Sequence, residues 1–400
     1  MRLAIIVAGL LQACLAKSSV SRKACQNHSA KPLDGCPKGT LLVGPGQHFT
    51  SVQSAIISLP KDTSPHHILV LAGNYTEQIN VTRPGPVYLY GETDNPDDQK
   101  KNTVNIIWRN ATGSAANSTL DNAYTSVLTV APTFNASATG SGPNGSPVAK
   151  DTPFGNTDFR AYNLNFINDY RPYVSGPSLA VSVSYANSSF YYCGFYSYQD
   201  TVYVGKLGNA YFYRNEIAGI TDFLYGFGTA WIQSSLLTLR GCGGGITAWK
   251  GTNTTFANKY GVYIHNSNIV KANASLSIRG KCALGRPWNE QHRSLFANCY
   301  MDDSIQPGGY IRWSTTDPRI NANTTMAEYK SYGPGWDEKA RVAGNTTAVW
   351  GEKEMEGWRG VGDVFQFPGE GRGGNVGWID KEVLVEGGMV GFKGGVEGGE

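Results

Sequence analysis

The stretch "YYCGFYSYQDTVYVGKLGNAYFYRNEIAGITDFLYG", residues 191–226, contains two copies of one short pattern. In "YYCGF" (191–195) and "YRNEI" (213–217), an apolar residue is followed two positions later by a small or polar residue and four positions later by an apolar one. Further copies are "YNLNF" (162–166), "IQSSL" (232–236) and "FANCY" (296–300). The copies that start at 191, 213 and 232 are 22 and 19 residues apart, about one turn of a β-solenoid.

Each coil of a solenoid buries its apolar face only against its neighbours, so this repeat predicts a single-stranded right-handed parallel β-helix. The composition agrees, because 49 glycines, 12% aromatic residues and only 16% charged residues favour many short strands and tight turns over helices. We therefore expect an all-β fold. An up-and-down antiparallel arrangement is the structural alternative.

One helix is predicted in "FTSVQSAIISLP", residues 49–60. Thr50 and Gln53 form a capping box, the apolar residues that follow share one face, and Pro60 ends the helix. We expect this short helix to cap the N-terminal end of the β-helix.

The rest of the chain divides by composition. Residues 1–16, "MRLAIIVAGLLQACLA", place one arginine before a short apolar run and predict a signal peptide, since a membrane anchor needs a run of about 20 apolar residues. An N-terminal segment (17–42) leads to the β-helix domain (43–368), and a glycine-rich tail (369–400) is predicted to be disordered. The protein is therefore expected to be secreted and extracellular, with no membrane partner.

Cysteine usage fits an oxidising compartment. Loss of the signal peptide removes Cys14 and leaves an even number of cysteines, as disulfides require. The six that remain are Cys25, Cys36, Cys193, Cys242, Cys282 and Cys299. We expect two local pairs, Cys25 with Cys36 and Cys282 with Cys299, and a buried free thiol at Cys193.

The glycosylation acceptor sites and the net charge of the chain indicate its environment and the kind of partner that it binds. The Asn-x-Ser/Thr triplets, typical of a secreted glycoprotein, begin at Asn27, Asn74, Asn80, Asn110, Asn117, Asn135, Asn144, Asn187, Asn253, Asn273, Asn323 and Asn345. The formal net charge of +3 is too small to indicate a nucleic-acid partner but is compatible with an acidic polymer. We expect a monomer.

Two aspartates occupy equal places in adjacent repeats. Asp200 lies seven residues after Cys193, and Asp222 lies seven residues after Asn215. In a β-helix, equal offsets in adjacent coils stack about 4.8 Å apart. Two carboxyl groups at that distance resist ionising together, so one holds a proton while the other is anionic. The spacing therefore predicts an acid beside a nucleophile.

The surroundings of the pair suit a sugar cleft. In the next coil the same offset from Ser234 gives Gly241, which would leave open space beside the carboxylates. Tyr203 and Tyr225 each follow an aspartate by three residues, and aromatic faces pack well on sugar rings. In the alternative, the aspartates only satisfy turn backbone and the tyrosines pack on the exterior.

Arg286 in "CALGRPWNEQHRS" (282–294), two residues before Trp288, can hold a carboxylate with paired hydrogen bonds and keep it charged. The chain has no G-x-S-x-G, H-E-x-x-H, C-x-x-C or phosphate-loop motif, so a serine esterase or a metal hydrolase has little support. No metal and no cofactor is predicted.

Four motifs together carry a family resemblance. With "GNYTE" (73–77), "YQDTVY" (198–203), "TDFLYG" (221–226) and "LGRPW" (284–288) in the family's order and spacing, the chain resembles the pectin methylesterases, or pectinesterases, especially the fungal ones. The resemblance covers roughly residues 43–368. It implies a metal-independent esterase that acts on methyl-esterified homogalacturonan, the main chain of pectin.

The resemblance also implies a role for each matching residue. Asp222 is the nucleophile that forms an acyl-enzyme, and Asp200 protonates the departing methanol and then activates water. Gln199 donates its side-chain amide to the oxyanion, and Arg286 keeps Asp222 ionised. The aromatic positions that line the family's sugar cleft match Tyr203, Tyr225 and Trp288.

The chain departs from the family at one position. The family commonly places a second amide, in a "QAVAL"-like strand, one coil before Gln199. Here the stretch reads "GPSLAVSVS" (176–184), and counting back from Phe190 puts Pro177, which has no donor, at that position. Losing an oxyanion donor typically costs about 100 to 1,000-fold in rate, unless Ser178, a backbone amide or a water substitutes.

Two other functions compete with an active esterase. A non-catalytic wall-binding solenoid derived from the family is favoured by the missing glutamine. A polygalacturonase or pectate lyase on a similar solenoid would need a larger carboxylate cluster or a Ca²⁺ site, whereas this site offers two acids and an arginine.

Overall fold

A computed structural model describes residues 22–113, 120–140, 147–170, 176–251, 259–367 and 372–382. The predicted signal peptide lies outside these ranges. The described chain winds in coils that add strands to three sheets, and one coil contributes Asn187–Tyr191, Gly194–Tyr196 and Val202–Val204. Neighbouring strands in the three sheets pair in parallel. The prediction of an all-β parallel β-helix is confirmed, and the antiparallel alternative is wrong.

The three sheets are named A, B and C in the order in which a coil visits them. The strands of sheet A are Leu41–Val43, His66–Val70, Val87–Gly91, Phe159–Tyr162, Asn187–Tyr191, Asn209–Tyr213, Thr229–Gln233, Gly261–His265, Arg293–Ala297, Thr325–Tyr329 and Ala348–Val349. Those of sheet B are Gly73–Thr76, Val104–Ile107, Leu164–Ile167, Gly194–Tyr196, Glu216–Thr221, Leu236–Gly243, Asn268–Lys271 and Tyr300–Met301. Those of sheet C are Ile79–Val81, Leu128–Val130, Val181–Val183, Val202–Val204, Leu224–Gly226 and Thr247–Trp249.

The corner between sheets A and B explains the repeated sequence pattern. One residue in each coil, such as Tyr192, Arg214 or Ser234, turns the chain in the left-handed region, with φ of 55°, 52° and 51°. This conformation costs a non-glycine residue about 1–2 kcal/mol. The corner amides offset that cost by continuing the ladder, since Tyr192 N donates to Tyr213 O at 3.0 Å and Arg214 N to Gln233 O at 3.1 Å. In the copies at 191–195 and 213–217 the small or polar residue, Cys193 or Asn215, directly follows this corner.

Apolar side chains fill the interior of the coils in stacked rows. Phe190 stacks on Phe212 with ring centroids 4.9 Å apart, and Phe166 stacks on Phe195 at 5.5 Å. Valine, isoleucine and leucine from all three sheets complete one continuous buried cluster. Stacking of like residues keeps every coil in register, which holds the turns at the B–C corner at fixed positions.

The helices are short, and the first turn of one of them differs from the prediction. The α-helices are Arg22–Gln26, Val52–Ser58, Phe134–Ser137, Glu338–Gly344 and Val361–Val364, and the 3₁₀ turns are Gln99–Lys101 and Asn122–Thr125. In the predicted capping helix the N-cap is Ser51, whose side chain accepts from Ser54 N, so the Thr50–Gln53 capping box is wrong by one residue. The Gln53 side chain instead accepts from Asn80 N at 2.7 Å. The helix packs Val52, Ala55 and Ile56 into the interior cluster, as a cap should.

A buried ion pair lies near the C-terminal coils. Arg341 and Glu328 have no exposed side-chain surface, and their Nε and Oε2 atoms are 2.6 Å apart. Arg341 also donates to the carbonyls of Gln306 and Gly335, at 3.0 and 2.9 Å. The guanidinium therefore joins three segments of these coils.

Replacement of Arg341 by methionine should destabilise the fold by about 3–5 kcal/mol, because Glu328 would remain buried without a cation. Urea unfolding of the purified protein measures the change. Arg359→Met is the matched control, since Arg359 pairs with the exposed Glu352 and loss of such an exposed pair should change the stability little. Equal losses in the two variants would contradict the prediction.

The disulfides are only partly as predicted. Cys25 pairs with Cys36, as expected, but Cys282 pairs with Cys242 and not with Cys299. Cys193 is a buried free thiol, as expected, and Cys299 is a second one. Cys242 and Cys282 lie 40 residues apart in sequence and meet on adjacent coils, so sequence proximity favoured the wrong partner.

Part of the segment predicted as a disordered tail packs on sheet A. Trp378 and Ile379 are buried against its aromatic outer face. Tyr162 donates its hydroxyl to Asp380 at 2.9 Å, and Asp380 N donates to the Tyr191 hydroxyl at 2.7 Å. The prediction of disorder therefore fails for residues 372–382, because the sequence gives no sign that a few apolar residues within a glycine-rich segment have a surface to cover.

No helix within the described part of the chain is long and apolar enough to cross a membrane.

Candidate active site

The site lies at the corner between sheets B and C, where three successive coils turn at equivalent residues. Gln199 bridges to Thr221, and Thr221 pairs with Gly243, so Asp200, Asp222 and Gly244 follow at the same place. Each takes a left-handed conformation, with φ of 60°, 47° and 58°. The predicted stacking of Asp200 on Asp222 is thus what the register produces.

The glycine beside the pair is Gly244, and the expectation of Gly241 is wrong by three residues. Ser235, not Ser234, pairs in register with Asn215, because Glu216 is opposite Leu236. The sheet B strand then runs for eight residues instead of six and shifts its register. Counting at a constant offset could not detect this irregularity.

The close packing of Asp222 and Arg286 around Gly244 can be tested by substitution of this glycine. A Cβ atom here would lie 2.5 Å from Asp222 Oδ1 and 2.8 Å from Arg286 Nε. Gly244→Ala should therefore displace the carboxylate or the guanidinium, and misplacement of a reacting group by about 1 Å can cost 100-fold in rate. Steady-state methanol release from methyl-esterified pectin measures the effect.

Gly241→Ala is the matched control, since its Cβ would find no atom closer than 3.4 Å. It should keep nearly all of the activity, and similar losses in both variants would contradict the assignment of Gly244.

Asp222 is held as a carboxylate. Arg286 donates from Nε to Asp222 Oδ1 at 3.0 Å and from Nη2 to Oδ2 at 2.6 Å. The two residues therefore form a bidentate ion pair. Gly245 N adds a hydrogen bond to Oδ1 at 3.0 Å. The aspartate is only 6% exposed, so these donors replace the water it has lost.

Among the residues that the structure describes, none forms an ion pair with Asp200 like that of Arg286 with Asp222. Asp200 is also 6% exposed, and the contact that its carboxyl makes at 3.3 Å is from Asn122 Nδ2 to Oδ2. Burial, and then the charge of Asp222, raise the pKa of Asp200 well above its usual value, while Arg286 and hydrogen bonds from Asn122 and Gln199 lower it. Asp200 is therefore the carboxyl that keeps its proton.

The two carboxyls differ in what offsets their burial. Burial also raises the pKa of Asp222, but the hydrogen bonds and charge of Arg286 and the Gly245 amide pull it back. A proton entering the pair therefore goes to Asp200. The arrangement places an ion-paired carboxyl next to a carboxyl whose pKa is raised by burial and by the charge of its neighbour.

The hydrogen bonds agree with the predicted position of the missing glutamine. Ser178 N donates to Gln199 O at 3.1 Å, just as Asp200 N donates to Thr221 O where Gln199 bridges to Thr221, so Pro177 lies opposite Gln199. The Ser178 hydroxyl contacts the Ser197 hydroxyl at 2.8 Å and is buried. It therefore does not stand in as a second donor to the site.

Two of the predicted sugar-binding aromatics lie beneath the site and not on its open surface. Tyr203 and Tyr225 pair in register with ring centroids 4.8 Å apart and are 1% and 2% exposed. They pack in a cluster with Leu179 and with Ala123 of a segment from an earlier coil. The sequence could not show this cover, because it comes from far along the chain.

Trp288 is half-buried at the edge of that cluster. Lys250 Nζ lies 3.2 Å from the centroid of its ring and 4.1 Å from that of Phe227. Burial lowers the pKa of Lys250 to about 6, with Lys206 adding to the effect. One face of Trp288 is thus covered by the Lys250 amine, whose lowered pKa favours its neutral form.

Two site residues were missed by the sequence reasoning. Asn122 contacts Asp200 from the 3₁₀ turn, as described above. Trp313 lies under Arg286, whose guanidinium carbon is 4.2 Å from its ring centroid, and Arg319 is at the same distance. Neither Asn122 nor Trp313 lies at a repeat spacing from the aspartates. The only local sign of Trp313 in the sequence is that an aromatic residue stands eight positions after the first residue of "IQPGG" (305–309).

In the described residues, no cluster of three or more histidine, cysteine or acidic side chains is placed to hold a metal ion.

Comparisons with known proteins agree on the kind of protein. A family model described as Pectinesterase matches residues 151–358. A protein of Neosartorya fischeri named "Probable pectinesterase A" is 29% identical over 341 residues, covering 85% of this chain and 91% of that protein. The crystal structure of a pectin methylesterase from Aspergillus niger is 27% identical with a TM-score of 0.63, covering 76% of this chain and 89% of that chain.

A further solved structure is a pectin methylesterase in complex with a hexasaccharide. It is 23% identical with a TM-score of 0.60 and covers 79% of this chain and 94% of that chain. At that identity the likeness concerns the fold alone.

Proposed function

Because the chain belongs to the pectinesterase family, whose model matches more than half of it, we propose that it is a secreted pectin methylesterase of the aspartyl type. The substrate is methyl-esterified homogalacturonan, and the products are de-esterified pectin and methanol. One observation carries the proposal: Asp222, ion-paired with Arg286, lies next to Asp200, a buried carboxyl that forms no such ion pair within the described residues.

In the first step, a carboxylate oxygen of Asp222 attacks the carbonyl carbon of the methyl ester. The C–O bond to the methoxy group breaks as Asp200 gives that oxygen its proton, so methanol leaves and an anhydride joins the sugar to Asp222. Gln199 is half-buried beside Asp200, where its amide can donate to the oxyanion of the tetrahedral state.

In the second step, Asp200, now a carboxylate, takes a proton from a water molecule as that water attacks the anhydride. The bond to Asp222 breaks, the galacturonic acid is released and ionises, and both aspartates return to their starting states. Arg286 stays with Asp222 throughout and keeps it the better leaving group of the pair. The cycle needs no metal and no cofactor.

The polymer has to lie along the B–C corner to bring an ester to this pair. Trp288 and Trp313, with the guanidinium groups of Arg286 and Arg319 over the Trp313 ring, provide aromatic and positive surface for an acidic sugar chain. The hexasaccharide bound to a pectin methylesterase of the same fold supports an extended sugar ligand. Secretion is part of the proposal because the signal peptide predicted at residues 1–16 and the disulfides both suit an extracellular protein.

Product analysis tests the proposed reaction. Purified protein is incubated with highly methylated pectin in the presence of EDTA, and methanol, new reducing ends and unsaturated sugars are measured together. The proposal predicts methanol alone, in amounts equal to the new carboxylates. New reducing ends would indicate a polygalacturonase, unsaturated sugars a lyase, and binding without any product the non-catalytic solenoid.

A further inference from the structure

One residue outside the predicted set contacts the reacting carboxyls. Asn122 Nδ2 donates to Asp200 Oδ2 at 3.3 Å from the turn Asn122–Thr125. That turn precedes the sheet C strand Leu128–Val130, two coils before the strand that follows Asp200. The amide therefore reaches Asp200 across the intervening coil.

The intervening coil leaves room for this contact. The hydroxyl of Ser178 in this coil contacts that of Ser197, and the residue opposite Gln199 is Pro177, which has no donor. In the resemblance described above, that position carries a glutamine that would itself supply an amide. The protein thus combines a short side chain opposite Gln199 with an amide, that of Asn122, which comes from one coil earlier.

The turn that carries Asn122 is held in place by several hydrogen bonds. Asp121 accepts from Ala123 N at 3.0 Å and from Thr139 N at 2.9 Å. The Thr125 hydroxyl donates to Asn122 O at 2.7 Å and accepts from Leu179 N at 3.0 Å. A side chain on so constrained a backbone is pre-positioned at little cost in entropy when the reaction begins.

Buried Asn168 completes this attachment. Its amide donates to the carbonyls of Thr125 and Leu179, at 3.0 and 3.1 Å, and so joins the turn to the coil of Ser178.

We propose that Asn122 is a positioning residue for Asp200, whose carboxyl it holds through its side-chain amide in a chain that lacks the family's second glutamine at Pro177. The inference rests on the proposed function. The amide fixes the orientation of the carboxyl and leaves Oδ1 as the oxygen that holds the proton. When Asp200 gives its proton to the leaving methanol, the amide stabilises the carboxylate that forms.

The sign of the effect on pH dependence follows from this contact. A donor to the carboxylate favours the ionised form, so Asn122 lowers the pKa of Asp200 and moves it toward the working pH. Asp222, Arg286 and Gln199 act on Asp200 as well and stay in place when Asn122 is changed. Loss of the amide alone should therefore raise the pH at which Asp200 loses its proton.

The test uses Asn122→Leu, of similar size without a donor, and Asn122→Ala, which removes the donor without adding apolar bulk. In the full secreted protein, kcat for methanol release should fall about ten-fold in both variants. The basic limb of the pH profile should move up by roughly one pH unit, and the acidic limb should stay unchanged. A purely structural role would lower activity or stability without moving that limb.

Asn209→Leu is the matched control, since Asn209 is also half-buried and donates to another side chain, that of Asn187, at 2.9 Å. It should leave the pH profile as in the wild type. A wild-type basic limb in both Asn122 variants would overturn the inference while leaving the esterase intact. An inactive wild-type protein would instead overturn the proposed function on which the inference rests.

Discussion

Asp222→Asn should abolish methanol release, with a loss of at least about 10⁴-fold in kcat. The variant keeps the size of the side chain and an oxygen for the Gly245 amide, but it removes the charge that attacks the ester. Loss of an enzyme nucleophile typically costs this much or more. Methanol release from methylated pectin, followed over hours at high protein concentration, measures the residual rate.

The fold of this variant has to be checked, because Arg286 would lose its counter-charge. Asp158→Asn is the matched control: Asp158 pairs with Arg160 at 2.7 Å, outside the B–C corner. Both variants should unfold cooperatively in urea, and only Asp222→Asn should be inactive. A rate within ten-fold of wild type at Asp222→Asn would refute its assignment as nucleophile.

Asp200→Asn should lower kcat on pectin by about 100 to 10,000-fold, because one group serves as acid in the first step and as base in the second. The two roles separate when the leaving group needs no proton. With a nitrophenyl ester of a short oligogalacturonide, the variant should release about one equivalent of nitrophenolate per protein in a rapid burst and then turn over slowly. Stopped-flow absorbance measures the burst.

This result follows from the geometry of the pair. Asp222 keeps its contacts with Arg286 and Gly245 in the variant, so acylation proceeds once protonation is no longer required. Hydrolysis of the anhydride still lacks its base and becomes the slow step. Steady release without a burst, at the wild-type rate, would mean that Asp200 is not the base.

The fold could be predicted because the repeat has a physical cause. Each coil turns from sheet A to sheet B at one left-handed residue and then places a small residue at the start of sheet B, as at Cys193 and Asn215. Those positions are local in sequence. Equal spacing from them to Asp200 and Asp222 therefore predicts the stacking correctly.

The errors arose where one coil differs from the next. Two extra residues in the strand Leu236–Gly243, together with the one-residue change of the starting point from Ser234 to Ser235, moved the neighbouring glycine from Gly241 to Gly244. Offsets along the chain cannot show where a strand is lengthened, because the hydrogen-bonded neighbour decides the register.

The remaining features depend on contacts between distant segments. Asn122 reaches Asp200 from 78 residues away, and Cys242 meets Cys282 across adjacent coils. The cover over Tyr203 comes from an earlier coil. A single sequence carries no signal for such contacts, so the site's composition was predictable only for the residues on the repeat itself and in the family's motifs.

The central claim is an acyl-enzyme at Asp222, and partitioning between two nucleophiles tests it most directly. Methyl and ethyl esters of the same oligogalacturonide are hydrolysed with hydroxylamine present, and the ratio of hydroxamate to free acid is measured for each. Both esters form the same anhydride once the alcohol has left. The two esters should therefore give the same ratio of hydroxamate to free acid, although they react at different rates. Ratios that differ between the esters would show direct attack by water and would contradict the proposed role of Asp222.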